Sequence, residues 1–152
     1  MSTHMTENAK ETEMLGFQLA SLLRYEDHPI ILLDGPLAAG KTTFTKGIAR
    51  ALGITKHVNS PTYTIMKIYQ SGDLLKTMHH LDLYRLDHIG NDFDLEEYIY
   101  NDGFSVIEWP FQIQELIPQT YVLVSFEWLS EEKRKITITC HGHDCSHLES
   151  KL

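Results

Sequence analysis

Long hydrophobic runs are missing from this chain. No apolar stretch approaches the roughly 20 residues that a helix needs to cross a bilayer. The first ten residues, MSTHMTENAK, are polar and hold no signal-peptide core, so the expected location is cytoplasmic. Positive charge is also scarce: 13 Lys and Arg stand against 21 Asp and Glu, a formal net charge of -8. A chain that gripped nucleic acid by its own electrostatics would carry a basic surface. This balance argues against that class and suits docking onto a basic partner protein.

Internal repeats and low-complexity linkers are absent as well. The 152 residues therefore read as a single domain able to bury a substantial core, with 1–10 and 143–152 expected as flexible tails. Cysteine is nearly absent, and both copies fall in the segment Cys140-His141-Gly142-His143-Asp144-Cys145-Ser146-His147. Zinc is the metal such a segment suggests, but its spacing matches no standard zinc pattern, and one short stretch would have to supply every ligand. Ile136, Ile138 and Cys140 alternate with Thr137 and Thr139, so Cys140 reads first as the buried end of a strand.

What the chain does have is a phosphate-binding signature. Gly35-Pro36-Leu37-Ala38-Ala39-Gly40-Lys41-Thr42 reads G-x-x-x-x-G-K-T and follows the apolar run Ile30-Ile31-Leu32-Leu33. A P-loop needs that placement, between a buried strand and a helix. Glycine at 35 and 40 lets the chain turn around an anion with main-chain N–H groups pointing inward. The following helix, expected over 40–52 and including Thr43, aims its positive dipole end at the same point. Lys41 supplies a full charge for the β- and γ-phosphates, and the Thr42 hydroxyl suits a bridging magnesium ion.

Around this motif the pattern predicts an α/β fold: a P-loop NTPase-like three-layer domain with a mixed β-sheet. Leu15, Leu19, Leu22 and Leu23 recur at helical spacing over 12–25. Two β-runs, 63–69 and 74–83, flank a Ser71-Gly72-Asp73 turn and read as a hairpin. A helix over 92–100, a core strand over 104–109, a short helix over 111–117 and strands over 121–126 and 134–140 complete the reading.

Chemistry beside a P-loop requires an acid near the metal and a group that places water. Glu108 ends the apolar run Ser105-Val106-Ile107, which suits it to the magnesium shell or to the attacking water; an ordinary strand-end glutamate is the plain alternative. In His80-Leu81-Asp82-Leu83-Tyr84-Arg85, alternation puts His80, Asp82 and Tyr84 on one face. Asp82 then completes the metal shell or acts as base, or else forms a structural pair with Arg85 or a histidine. His79 and His80 read more simply as packed or solvated histidines. Asn59-Ser60-Pro61-Thr62-Tyr63-Thr64 lies where nucleotide switches place a mobile threonine; Thr62 is the candidate, against a simple Ser-Pro turn. By alternation Trp109 faces away from Glu108, as a core residue or as an exposed partner contact.

Taken in order, Gly-x-x-x-Ala-Gly-Lys-Thr-Thr-Phe at 35–44, Ser-Pro-Thr-Tyr-Thr at 60–64, His-Leu-Asp-Leu-Tyr-Arg-Leu at 80–86 and Glu-Trp-Pro at 108–110 resemble the bacterial tRNA threonylcarbamoyladenosine biosynthesis ATPase family, TsaE. The resemblance spans residues 12–142. It implies an ATPase that uses ATP and Mg2+ and works with TsaB and TsaD. The resemblance further implies that TsaD transfers the threonylcarbamoyl group to the adenosine beside the anticodon and that the ATPase resets the complex between turnovers. On this resemblance Lys41, Thr42, Asp82, Glu108 and Thr62 carry the chemistry, Thr12 and Arg134 lie near the adenine pocket, and Arg85 and Trp109 are candidate partner contacts. Transfer RNA would be held mainly by the partners.

Two residues depart from the family loop, Gly-Asp-Leu-Gly-Ala-Gly-Lys-Thr. Pro36 has no N–H to donate, and Ala38 resists a positive φ; phosphate binding is expected to survive both. The alternative to an accessory ATPase is a small-molecule P-loop kinase, whose arginine-rich lid has no counterpart after the P-loop helix. A GTPase-like switch is weakened by the absence of an Asn-Lys-x-Asp guanine motif.

Overall fold

In the computed structural model, the structure describes residues 1–61, 65–71, 77–84, 95–99, 103–112, 114, 117–142 and 146–152. The elements are β1 (Ser2–Thr6), α1 (Ala9–Leu23), β2 (Ile30–Asp34), α2 (Lys41–Ala51), β3 (Met66–Gln70), β4 (Thr77–Asp82), α3 (Leu95–Ile99), β5 (Phe104–Glu108), β6 (Tyr121–Trp128), β7 (Arg134–His141) and α4 (Ser146–Lys151). Among the described residues, seven strands form one mixed sheet in the order β1-β7-β6-β2-β5-β4-β3. The pairs β2·β5, β2·β6 and β4·β5 are parallel, and β1·β7, β6·β7 and β3·β4 are antiparallel.

Burial on both faces explains why β2 is a continuous apolar run. Ile31 and Leu33 point into a core shared with Leu19, Phe44 and Ile48 of α1 and α2. Ile30 and Leu32 point into a second core with Leu81, Ile107 and Ile99 of α3. The result is the expected three layers, helix–sheet–helix. No helix among the described residues is long and apolar enough to cross a membrane.

The chain ends are more structured than tails. β1 pairs with β7 from Ser2↔Ile138 to Thr6↔Arg134. This edge strand rests on main-chain pairing, so its polar side chains carry no apolar alternation to announce it. Asn8 then caps α1 by accepting from Glu11 N–H at 2.9 Å, while Glu11 accepts from Glu7 N–H at 2.6 Å. These two bonds start the helix at residue 9. At the other end Leu148 of α4 is buried in the α1–α2 core, and Glu149 pairs with the Met1 amino group.

The expected hairpin is present, with Met66↔Leu81 and Gln70↔Thr77 in register; Gly72 and Asp73 of its turn lie outside the described residues. The strand expected over 104–109 stops at Glu108, and a 3-10 turn, Pro110–Gln112, follows it; residues 113, 115 and 116 of the short helix expected over 111–117 lie outside the described residues. β6 and β7 extend to Trp128 and His141. Cys140 is partly buried against the α1–α2 core, as its alternation predicts. Residues 143–145 of the Cys/His segment lie outside the described residues.

Candidate functional site

The site stands at the carboxyl ends of the parallel strands, where open α/β sheets hold their ligands. β2 ends at Asp34, and the loop 35–40 carries the chain into α2. Gly40 caps α2 in the left-handed region at φ 103°, and no side chain caps the helix. The first amides of α2 are thus left to an anion. Ala38 occupies the same left-handed region at φ 61°, a conformation strained for a residue with a Cβ.

Arg134, the first residue of β7, ties this loop down. Its Nε donates to Ala39 O at 3.0 Å and its Nη2 to Ala38 O at 3.1 Å, while Nη1 donates to Ser130 O at 2.6 Å and Lys133 O at 2.9 Å. Two peptide planes of the P-loop are therefore fixed from the first residue of β7.

Lys41 is only 5% exposed. Its ammonium donates to Gly35 O at 2.6 Å and lies 3.9 Å over the Trp109 ring. Burial lowers its pKa from the ordinary lysine value, and the negative charges of Glu108, Asp82 and Asp34 pull the other way.

The two predicted carboxylates meet. Asp82 and Glu108 are register partners across the parallel pair β4·β5 and are 2% and 3% exposed. Alternation groups Asp82 with His80 and Met78, and Glu108 with Val106 and Phe104. Met78, Val106 and Phe104 belong to the core under α1 and α2, so both carboxylates face the P-loop side. Asp82 Oδ1 accepts from Tyr84 N–H at 2.9 Å. Glu108 Oε2 lies 2.6 Å from His80 Nε2, and the imidazole is fully buried.

A cavity of about 370 Å3 collects these groups: residues 37–43, Ser60, Asp82, Glu108, Trp109 and Arg134. Gly35 and Pro36, predicted as binding residues, do not line it; Gly35 contributes the carbonyl that holds Lys41. A second cavity of about 320 Å3 shares Gly40, Thr43 and Arg134 and adds Ala9, Thr12, Glu131 and Glu132. Thr12 is held there by a 2.8 Å hydroxyl–hydroxyl bond to Thr6.

Trp109 is a correction. It was expected opposite Glu108, but β5 ends at Glu108 and Trp109 takes φ 56°. Strand alternation no longer governs it, and its ring turns into the cavity against Lys41 and Tyr84 (centroids 4.8 Å apart). Thr62 and Arg85 lie outside the described residues. Sequence reasoning missed Asp34 as a charge facing Lys41 and undervalued His80; a histidine two residues before a predicted metal-site aspartate was the available signal.

The family model for the threonylcarbamoyl adenosine biosynthesis protein TsaE matches residues 6–136. The chain belongs to the TsaE family. It is 39% identical over 138 residues to the tRNA threonylcarbamoyladenosine biosynthesis protein TsaE of Bacillus subtilis (strain 168), covering 91% of this chain and 85% of that protein. To the protein of the same name from Treponema pallidum (strain Nichols) it is 37% identical over 136 residues, covering 88% and 97%. The crystal structure of Bacillus subtilis YdiB superposes with a TM-score of 0.78 at 32% identity, covering 99% of this chain and 90% of that one. The P-loop, the hairpin and the Glu108–Trp109 corner all fall within the TsaE match. The small-molecule kinase reading is not favoured.

Proposed function

We propose that the chain is a cytoplasmic ATPase that supports tRNA threonylcarbamoyladenosine modification by driving turnover of TsaB and TsaD homologues. One observation carries the chemical part: a buried P-loop lysine faces two buried, register-paired carboxylates across a cavity open to a polyphosphate.

The donor set fits magnesium. Among the described residues, no group of three or more His, Cys, Asp or Glu could cage a metal. One hydroxyl and two carboxylates beside a phosphate loop are what Mg2+ uses, since it takes one or two protein carboxylates and completes its shell with substrate phosphates and water. Thr42, Asp82 and Glu108 would hold it, and it would supply charge neutralisation on the phosphates.

The reaction is hydrolysis of ATP to ADP and phosphate by water attacking in line at the γ-phosphorus. Lys41 leaves Gly35 O for the β- and γ-phosphate oxygens, where its charge offsets what builds up in the transition state. The amides of α2 bind the same tail, and Arg134 keeps the loop's shape. Glu108 or Asp82 orients the attacking water and receives its proton. Thr12 and Arg134 line the second cavity, which supports assigning it to the base of the nucleotide. The Arg134 guanidinium is committed to main-chain carbonyls, so slow turnover in isolation follows unless a partner supplies a cation. The acidic chain leaves tRNA to the partners, and Trp109, with Arg85, is the proposed contact toward them.

The test is ATPase activity of wild type, Lys41→Ala and Glu108→Ala with and without TsaB and TsaD homologues, alongside multiple-turnover tRNA modification. Both variants should lose at least 100-fold in kcat, in the range that removal of one transition-state-stabilising group costs, and Lys41→Ala should fail to restore modification when wild type is omitted. Unchanged turnover in both variants would overturn the assignment.

A further inference from the structure

His80 sits in the core as a polar group with an unusual balance of partners. Its side chain is fully buried on the face of β4 that carries Met78 and Asp82. Its Nε2 is 2.6 Å from Glu108 Oε2, and its Nδ1 has no hydrogen-bond partner among the described residues. The in-register neighbours of His80 are Val106 on β5 and Lys67 on β3, and a leucine or methionine at this buried position would leave no orphaned atom. An unsatisfied buried nitrogen is a cost that a purely structural residue has no reason to carry.

The geometry decides the tautomer. With the proton on Nε2, the imidazole donates to a carboxylate, a short charge-assisted bond, and the orphan is a bare lone pair. With the proton on Nδ1, a buried N–H would be stranded, and Nε2 would turn its lone pair toward Glu108. Stranded N–H groups are the rarer defect. His80 is therefore a donor to Glu108.

We propose that His80 is a positioning residue for the hydrolytic reaction: it fixes the Glu108 carboxylate through Oε2, so that Oε1 is the oxygen presented to the cavity for the metal shell or the attacking water. This rests on the ATPase reading above. The reach is diagonal, since Glu108 is the register partner of Asp82, two residues beyond His80. On the other strand the main chain does the same job, Tyr84 N–H holding Asp82 Oδ1. Each carboxylate of the pair thus has at least one oxygen engaged by the protein. Glu108 needs a side chain for this, because its side chain is one methylene longer than that of Asp82 and has one more rotor to fix.

The experiment compares His80→Leu, His80→Asn and His80→Gln. Glutamine places an N–H donor near the Nε2 position; asparagine is too short to reach Glu108, and leucine has no donor. Each variant is checked for folding by thermal melting. Two readouts follow: steady-state ATPase, and Mn2+ affinity in the presence of ADP by electron paramagnetic resonance.

Loss of the hydrogen bond that orients a metal-site carboxylate costs about 10-fold or more in metal affinity or rate. His80→Leu and His80→Asn should lose that much in kcat and in Mn2+ affinity, with ADP affinity measured without metal unchanged, and His80→Gln should stay close to wild type. In a Glu108→Gln background His80→Leu should cost nothing further, because its effect runs through Glu108. If leucine fails to fold, asparagine against glutamine decides the matter. Wild-type kcat and Mn2+ affinity in His80→Asn, or additive losses in the double variant, would overturn the role. If wild type itself neither hydrolyses ATP nor binds Mn2+ with ADP, the ATPase reading fails instead.

Discussion

The packing of α1 on α2 sets where the P-loop amides point, and one glycine controls it. A Cβ on Gly47 would overlap Glu13 O and stand 2.8 Å from Phe17 N and 2.9 Å from Glu13 C. All three are main-chain atoms of α1 and cannot rotate away. Gly16 of α1 mirrors this, since a Cβ there would overlap Phe44 O and meet Phe44 C at 3.0 Å. In Gly47→Ala two effects compete. Helix propensity favours alanine by about 1 kcal/mol. Forcing a methyl group against immovable backbone costs about 3 kcal/mol, the upper end for overpacking. The net expectation is a loss of about 2 kcal/mol, and for a domain of this size that lowers Tm by roughly 4–8 °C. Urea unfolding followed by circular dichroism measures it. Gly16→Ala should act similarly, and the double variant should lose less than the sum, because helices already parted for one methyl accommodate the second. ATP affinity should fall with stability, since α2 carries Lys41 and Thr42. A raised urea midpoint in Gly47→Ala would refute the argument.

Two further outcomes follow from Lys41. Its folded pKa is lowered from 10.5, first by burial, so between that lowered value and 10.5 the unfolded chain binds more protons and stability rises with pH through that window. Nucleotide binding prefers the charged ammonium, so ATP affinity should instead fall as pH rises through the folded pKa; calorimetry across the alkaline range, with Lys41→Arg as the non-titrating control, measures it, and a flat wild-type profile would contradict it. Trp109→Leu removes a cation–π contact of about 1–2 kcal/mol in a largely desolvated setting, which Lys41 gives up when it moves to phosphate. ATP affinity should therefore rise by roughly 5–30-fold, whereas a loss of affinity would show that the ring stays on the ammonium in the complex.

How much of this was legible in the sequence depends on whether a feature is local. The P-loop was, because its glycines, Lys41 and Thr42 are contiguous and the strand before them is apolar without interruption. Glu108 was, because it closes the apolar run Ser105-Val106-Ile107, and Asp82 was, because alternation put it on one strand face with His80. Trp109 was misread because alternation was carried one residue past the strand, where φ turns positive. β1 was missed because an edge strand of this kind draws on backbone pairing, and the face it turns inward, Ser2, His4 and Thr6, is polar. The clamp of Arg134 on Ala38 and Ala39 was beyond reach, since 96 and 95 residues separate the partners and nothing in either segment names the other.

The site is assembled by register more than by any motif. Asp82 and Glu108 act as a pair only because Met78 aligns with Phe104 and Asp82 with Glu108. A slip of one residue between β4 and β5 would send Asp82 toward the α3 face and bring Leu81 or Leu83 beside the P-loop. The apolar residues prevent this. Met78 is fixed in the α1–α2 core and Leu81 in the α3 core, so burial of either set commits the other. The hairpin adds a second lock, because Met66↔Leu81 and Tyr69↔Met78 bind β4 to β3 in one phase. The same hydrophobic order that stabilises the sheet therefore places two acids opposite one lysine.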